Sequence, residues 1–425
     1  TFTREEFLKR LHTDGLANPV PTYRMFDAEM DVDGMGALKP VDATFDLRDS
    51  RFSPTGSQEE PELSDKRFGR ESAELFGCGD VSGLSIQRVD LLQRAVGEFH
   101  QLAADDGMPS VAKAQRAMDI INAIGDPELT GLATQVTSAL IDGNDTPDFS
   151  FTLADDLDAE RMKARDLLFS GQIDQAVEMI EAALRRMDQL FESNPGVPRY
   201  FNSYAERVIY NRMFATEGER TVLIPDNLFY AHMELADILA QIKGAKAALP
   251  HLNAMVRYAP AYPLSHLKLA VQLAREEDWD PARAACLNAL HVALDRDDAS
   301  FAYYRLAYAE WMCDRFDIAA ATYIMSDDIA SLEGELRELI ARAQSQCIPV
   351  PTTVPEAMQV LEQAGLPVWP KTEVASLVRR AARVCVDEGM FVPARTLSVA
   401  ASRMDDAERD GADVVQMQFL RSLNN

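Results

Sequence analysis

Apolar residues recur at helical spacing through most of the sequence from Ser85 onward. Ile86, Val89, Leu92 and Phe99 fall on one face of a helix. The same kind of pattern predicts helices over residues 110–124, 127–140 and about 200–216, and almost continuously from 157 onward. Breaks that contain Pro fall at 194–198, 225, 349–355 and 367–370. The pattern therefore predicts an all-α protein.

The first 84 residues lack this periodicity. A capping box from Thr3 to Glu6 predicts a short helix to about Leu11. From residue 18 to 65, Pro, Gly, Asp and Ser recur, which predicts a loop-rich arm with room for one short strand at 41–48. We therefore expect three parts: a helix and loop-rich arm (1–84), a helical domain (85–145) and a helical repeat domain (157–425). An acidic linker over 142–158 connects the second part to the third.

Residues 229–326 repeat the same residue classes at a period near 34. Each unit has a large residue followed by a small one in its first helix, and a small residue early in its second. The first unit ends on Pro260. The three sets are Leu235, Ala236, Leu239 and Ala248; Leu269, Ala270, Leu273, Trp279 and Ala282; and Leu306, Ala307, Phe316 and Ala319.

This pattern resembles the tetratricopeptide repeat, although Lys243 stands where that family has Gly. Two isolated units are similar: Ala164, Leu167, Gly171, Ile173, Ala176 and Ile180; and Ala381, Ala382, Cys385, Gly389, Phe391 and Ala394. The resemblance covers roughly a third of the chain and implies helical hairpins that stack into an α-α superhelix.

The resemblance also implies a concave groove, lined by the first helix of each unit, that binds a polypeptide. The groove positions are Tyr230, Met233, Asp237, Leu264, Leu267, Val271, Phe301, Tyr304, Tyr308 and Trp311. The last four form an aromatic stripe on one helix face, and rigid aromatic rings suit peptide recognition. The alternative is that the stripe packs beneath the helices that follow, near residues 355–400.

Four arginines occupy groove positions in the outer units and are candidate anion contacts: Arg161, Arg165, Arg379 and Arg383. Some members of the family hold a carboxylate with such residues, but the further Asn and basic residues of that clamp are absent here. The alternative is a solvated helix face with pairs at i and i+4.

Charge and cysteine usage narrow the partner and the compartment. The net charge is −26, from 68 acidic and 42 basic residues, which disfavours nucleic acid and anionic membranes. It favours solubility or a basic partner. The five cysteines form no C-x-x-C pair and suggest a reducing, cytoplasmic compartment. No apolar run reaches the ~20 residues of a membrane span. The sequence begins at Thr1, which leaves open a removed signal or anchor.

The motifs that would indicate catalysis are incomplete. Gly77-x-Gly79-x-x-x-Gly83 has the wrong spacing for a dinucleotide loop, and His232-x-Glu234 lacks the P-C-x-x-C of a deaminase. Glu29-x-Asp31-x-Asp33 begins like a calcium loop but does not continue as one. The Asp-Asp pairs fit helix caps, and His232 and His266 fit packing between hairpins. We therefore expect no catalytic residue, cofactor or metal.

The sequence thus favours a protein-interaction scaffold or adaptor that binds a polypeptide in its repeat groove, and not an enzyme. The alternatives are a structural subunit of a larger assembly, which would use the arm to contact a neighbour, and a helical enzyme without a recognisable motif. The sequence does not identify the partner.

Overall fold

A computed structural model describes residues 81–216, 218–326 and 333–404. Several sequence predictions lie outside these residues: the helix over 3–11, the arm, the strand at 41–48, the calcium-like segment, Cys78 and most of the Gly77 motif. In the described part, the chain is mostly helical with almost no strand, which confirms the all-α prediction.

The described residues form a short 3-10 helix, Val81–Leu84, and seventeen α-helices. The helices are α1 (Arg88–Ala104), α2 (Ser110–Ile124), α3 (Pro127–Gly131), α4 (Ala133–Ile141), α5 (Leu153–Phe169), α6 (Ile173–Glu192), α7 (Tyr204–Met213), α8 (Asp226–Ile242), α9 (Ala245–Tyr258), α10 (Pro263–Arg275), α11 (Trp279–Val292), α12 (Arg296–Met312), α13 (Phe316–Met325), α14 (Glu333–Ser345), α15 (Val354–Gln363), α16 (Thr372–Asp387) and α17 (Phe391–Met404).

Helices α1–α4 enclose a core of their own around Phe99. Arg88 is buried at the edge of this core, where it donates to both oxygens of Asp126 at 2.7 and 2.9 Å and to Glu128 at 2.8 Å. The other oxygen of Glu128 accepts the backbone N–H of Thr152 at 2.7 Å, at the start of α5. This network fixes the segment predicted to be a linker, and α5 begins earlier than predicted, at Leu153.

Two details differ from the sequence prediction. The helix predicted over 127–140 is interrupted at Leu132 and forms α3 and α4. The segment from 194 to 227 holds two strands that were not predicted, β1 (Val197–Arg199) and β2 (Thr221–Leu223), which pair in parallel. Each strand has three residues, too few for an alternating pattern to be visible. Gly196 precedes β1 at φ +140°, where a Cβ would lie 2.6 Å from the side chain of Val222.

Consecutive helices from α8 to α13 pack as hairpins and against the next hairpin in the chain. Glu310 of α12 is completely buried and pairs with Arg283 of α11 and with Arg315, which precedes α13. Hairpin α16–α17 packs against α7 and shares a core with Ala261, which precedes α10, and with Val292, the last residue of α11. The first helices α8, α10 and α12 are therefore enclosed over most of their surface.

Candidate functional site

The aromatic stripe on α12 divides between core and surface. Phe301 is completely buried. Tyr304 and Trp311 are half-buried and contact the ring of Tyr323 on α13 edge-on, with centroids 6.1 and 6.4 Å apart. Tyr308 is 45% exposed and contacts the ring of Trp279 on α11 at 5.4 Å. The four residues share one face, and that face becomes accessible only towards the carboxyl end of the helix.

Arg305 lies beside this stripe, and neither it nor Arg275 was among the predicted site residues. The guanidinium of Arg305 lies over the rings of Phe301 and Tyr304, 5.1 and 5.4 Å from their centroids. Burial, and to a smaller degree the positive charge of Arg275, lower the pKa of Arg305. The surroundings of Tyr304 are therefore both aromatic and positively charged. The sequence does place a basic residue next to the stripe, because Arg305 directly follows Tyr304.

The α8 end of the predicted groove is closed by a residue from outside the repeats. The hydroxyl of Tyr230 lies 3.0 Å from that of Tyr200, whose ring stacks on Phe229 at 4.3 Å between centroids. Met233 is also buried. The segment that follows β1 therefore fills this end with an aromatic cluster.

The middle of the predicted groove is apolar core crossed by one ion pair. Leu264, Leu267 and Val271 on α10 are buried. Asp237 of α8 accepts from Lys268 of α10 through both carboxylate oxygens, each at 2.7 Å. The side chain of Lys268 is 3% exposed, and that of Asp237 is 34% exposed.

The four candidate anion-binding arginines lie on two separate hairpins. Arg161 is engaged by Asp158 and by Glu234 of α8, each at 2.6 Å. Arg165 is half-buried, and its Nε is buried without a hydrogen-bond partner among the described residues. On α16, Arg379 is half-buried and Arg383 is exposed. The α5–α6 hairpin and the α16–α17 hairpin belong to different cores, so the structure does not bring the two arginine pairs together.

The half-buried carboxyl group of Asp226 lies at the start of α8, within electrostatic range of Asp90 on α1. Burial, with a further contribution from the negative charge of Asp90 on α1, raises the pKa of Asp226 to about 7. Burial also raises the pKa values of Tyr200 and Tyr230, with contributions from the Asp226 charge. Sequence reasoning missed this cluster because its members come from three distant segments.

A second titratable cluster joins α6, α8 and α9. Tyr258 donates to Asp188 Oδ1 at 2.5 Å, and Nε2 of His232 lies 3.1 Å from the same oxygen. Nδ1 of His232 lies 3.1 Å from Nδ1 of His251. His266, which lies 34 residues after His232 in the sequence, contacts the backbone oxygen of Pro260 at 2.8 Å instead.

The remaining chemistry of the described residues is limited. Burial raises the pKa values of the Cys286 and Cys385 thiols to about 12, which keeps both thiols protonated and unreactive at neutral pH. No group of three or more His, Cys, Asp or Glu side chains in this part of the chain is arranged to hold a metal ion. None of the helices within these residues is long and apolar enough to cross a membrane.

Comparison of the sequence with protein families finds no family that matches, and comparison with curated proteins finds no match. The functional interpretation therefore depends on the residues and geometry of this chain.

Proposed function

We propose that the protein is an interaction scaffold built from tetratricopeptide-like hairpins, and that it binds a polypeptide against the carboxyl end of α12. The observation that carries the proposal is the exposure of Tyr308 beside Trp279, next to the half-buried Tyr304 and Trp311. Amphipathic rings held in place by a rigid helix offer a large contact area at a small entropic cost.

The order of the hairpins supports a repeat array. Helices α8–α13 coincide with the three units of the 34-residue pattern. Ion pairs also connect first helices of successive units: Arg161 of α5 with Glu234 of α8, and Asp237 of α8 with Lys268 of α10. Such pairs fix neighbouring first helices side by side, as an array with a common face requires.

The proposed binding surface is narrower than the groove of ten residues expected from the repeat. It comprises Tyr304, Tyr308, Trp311 and Met312 of α12, with Trp279 of α11, and is called here the α12 surface. Arg275 and Arg305 add positive charge beside it. A segment with an apolar anchor would complement the aromatic rings of this surface.

The proposal is tested by placing a photo-cross-linking amino acid at position 308 of the full chain in its native host. A matched control carries the same amino acid at Phe169, which is 73% exposed and lies at the end of α5. We expect polypeptide adducts from position 308 that are absent from position 169 and are lost when Met312→Ala is added.

Equal adducts from both positions would show that position 308 samples the surroundings without preference. Absence of adducts from position 308, with the protein folded and expressed, would contradict a polypeptide site on the α12 surface. Either result would favour the alternatives of an assembly subunit or an enzyme.

A further inference from the structure

The hydrogen bonds around His232 specify where the protons lie at neutral pH. A carboxylate only accepts hydrogen bonds, so Nε2 of neutral His232 must carry the hydrogen that points to Asp188. Nδ1 of His232 then carries a lone pair. His251 must therefore donate its Nδ1–H across the 3.1 Å separation, which leaves a lone pair on Nε2 of its half-buried ring.

The hydrogen-bonded series of Asp188, His232 and His251 can bind one additional proton without losing a hydrogen bond. A proton bound at Nε2 of His251 allows the shared hydrogen to move from Nδ1 of His251 to Nδ1 of His232. His251 is then neutral again, and His232 is a cation 3.1 Å from the Asp188 carboxylate. The two imidazoles have exchanged donor and acceptor roles, and every contact remains.

A second additional proton cannot bind without breaking a hydrogen bond of this series. Both Nδ1 atoms would then carry hydrogens 3.1 Å apart, and two cationic rings would face each other at 5.3 Å between centroids. Among the described residues, Asp188 is the one carboxylate that contacts the pair. The hydrogen bond between α8 and α9 must break, and like charges must separate.

We propose that Asp188, His232, His251 and Tyr258 form a pH-sensitive joint between α6, α8 and α9, which accepts one proton without change and opens on the second. The charged and titratable groups around it are Asp188 and Glu192 on α6, His232 on α8, and His251, Arg257 and Tyr258 on α9. Arg257 is paired with Glu192 at 2.7 Å, so it adds little net charge to the joint.

The pKa shifts agree with this geometry. Burial, and then the neighbouring His232, lower the pKa of His251 to about 4. Burial opposes ionisation of Asp188, but the bonds from His232 and Tyr258 outweigh it and leave the pKa of Asp188 below its ordinary value. The unfolded chain takes up a proton at His251 near its ordinary pKa of 6.5, so stability is lost as the pH falls from about 6.5 towards 4.

The first test is the tautomeric state of the six histidines in the full-length protein at pH 7.5, read from long-range proton–nitrogen correlations of the imidazole rings. We expect hydrogen on Nε2 of His232 and on Nδ1 of His251. Hydrogen on Nδ1 of His232 together with Nε2 of His251 in the neutral pair would overturn the proton order argued above. This measurement needs no variant.

The second test is the pH dependence of unfolding in His251→Gln. The Gln amide can donate to Nδ1 of His232 but does not titrate, so the joint stays closed and its response to acid disappears. We expect about one proton fewer to be taken up on unfolding near pH 5 than in the wild type. An unchanged proton uptake in a folded His251→Gln protein would overturn the proposal.

His100→Gln is the matched control. His100 contacts Asp145 at 2.8 Å near the surface, and the bond from Asp145 raises its pKa. His100→Gln should not prevent the loss of stability that the protein shows as the pH falls from about 6.5 towards 4. The reason is that a histidine with a raised pKa contributes stability at low pH. A smaller proton uptake in both variants would assign the effect to histidine removal in general and contradict a specific joint.

Discussion

The two ends of the predicted groove have different surroundings. On α8, Tyr230 is buried and its hydroxyl meets that of Tyr200. On α12, Tyr308 remains 45% exposed. The difference arises from the segment between α6 and α8, where Tyr200, which follows β1, contacts the ring of Tyr230 on α8. A place in the predicted groove therefore does not by itself make an aromatic side chain accessible.

Buried and exposed aromatic residues also occur together within α12 itself. Phe301 belongs to the same core as Leu267 and Val271, whereas Tyr308, two turns later, meets solvent. The face of α12 that carries the stripe is therefore buried near the amino end and exposed at Tyr308, whereas Glu310 on another face stays buried. The variants below sharpen this distinction.

The largest effect is expected at Phe301. Phe301→Ala removes a completely buried ring from the core shared by α10 and α12. It should lower the free energy of unfolding by about 3–5 kcal/mol, measured by urea denaturation. Phe301→Leu keeps most of the volume and should cost much less. A loss below about 1 kcal/mol for Phe301→Ala would show that this end of α12 is not packed.

The next effect tests the ion pair in the middle of the predicted groove. Asp237→Ala leaves the ammonium group of Lys268, whose side chain is 3% exposed, without its carboxylate. Because Asp237 itself is partly exposed, we expect a loss of about 2–3 kcal/mol, below the range for a fully buried pair.

Glu234→Ala is the control for this ion pair. It removes one exposed partner of Arg161, and Arg161 keeps its second partner, Asp158. It should cost less than about 1 kcal/mol in the same denaturation experiment. Equal losses for Asp237→Ala and Glu234→Ala would contradict the claim that burial of Lys268 makes its pair the more important one.

A smaller and pH-dependent effect is expected at the closed α8 end. The pKa of Asp226, raised to about 7 by burial and by Asp90, lies above its unfolded value. The folded state therefore keeps a proton that the unfolded chain releases, and stability falls as the pH rises from about 4 to 7. Asp226→Asn should remove this fall and stabilise the protein by about 1–2 kcal/mol at pH 8, with no gain at pH 4.

Thermal unfolding from pH 4 to 8 measures this difference. Asp90→Asn removes only the second contribution and should produce a smaller change of the same sign. Destabilisation by Asp226→Asn at pH 8 would show that Asp226 is ionised and favourably placed at the start of α8.

The sequence was sufficient for the all-α character of the described residues and for the face on which the stripe lies, but not for every helix boundary. Apolar residues at helical spacing predicted helices in the region of α8–α13, and spacings of 3, 4 and 3 placed Phe301, Tyr304, Tyr308 and Trp311 on one face of α12. Both are local properties, set by the 3.6-residue period of the helix and by the Gly and Pro residues between helices. Whether a given member of the stripe is buried depends on a neighbouring hairpin, and local periodicity does not report that.

The titratable clusters could not be predicted for the same reason. His232 meets Asp188 across 44 residues and His251 across 19, and neither separation corresponds to a known motif. Asp226 lies on α8 and Asp90 on α1, far apart in the sequence. Tyr200 was predicted to begin a helix, but it lies before α7, which begins at Tyr204, and nothing local indicated that it would cover Tyr230. These contacts are consequences of packing between elements rather than of sequence spacing.

The smallest effect on stability, and the most informative one for function, is expected at Tyr308. Tyr308→Ala removes an exposed ring and its edge contact with Trp279, so it should change the free energy of unfolding by only about 0.5 kcal/mol. Tyr308→Phe keeps the ring contact and should leave stability unchanged. If the α12 surface binds a polypeptide, Tyr308→Ala weakens that binding at least tenfold, whereas Tyr308→Phe weakens it less. A loss of stability above about 2 kcal/mol in Tyr308→Ala would instead place Tyr308 among the structural residues of α12, together with Phe301.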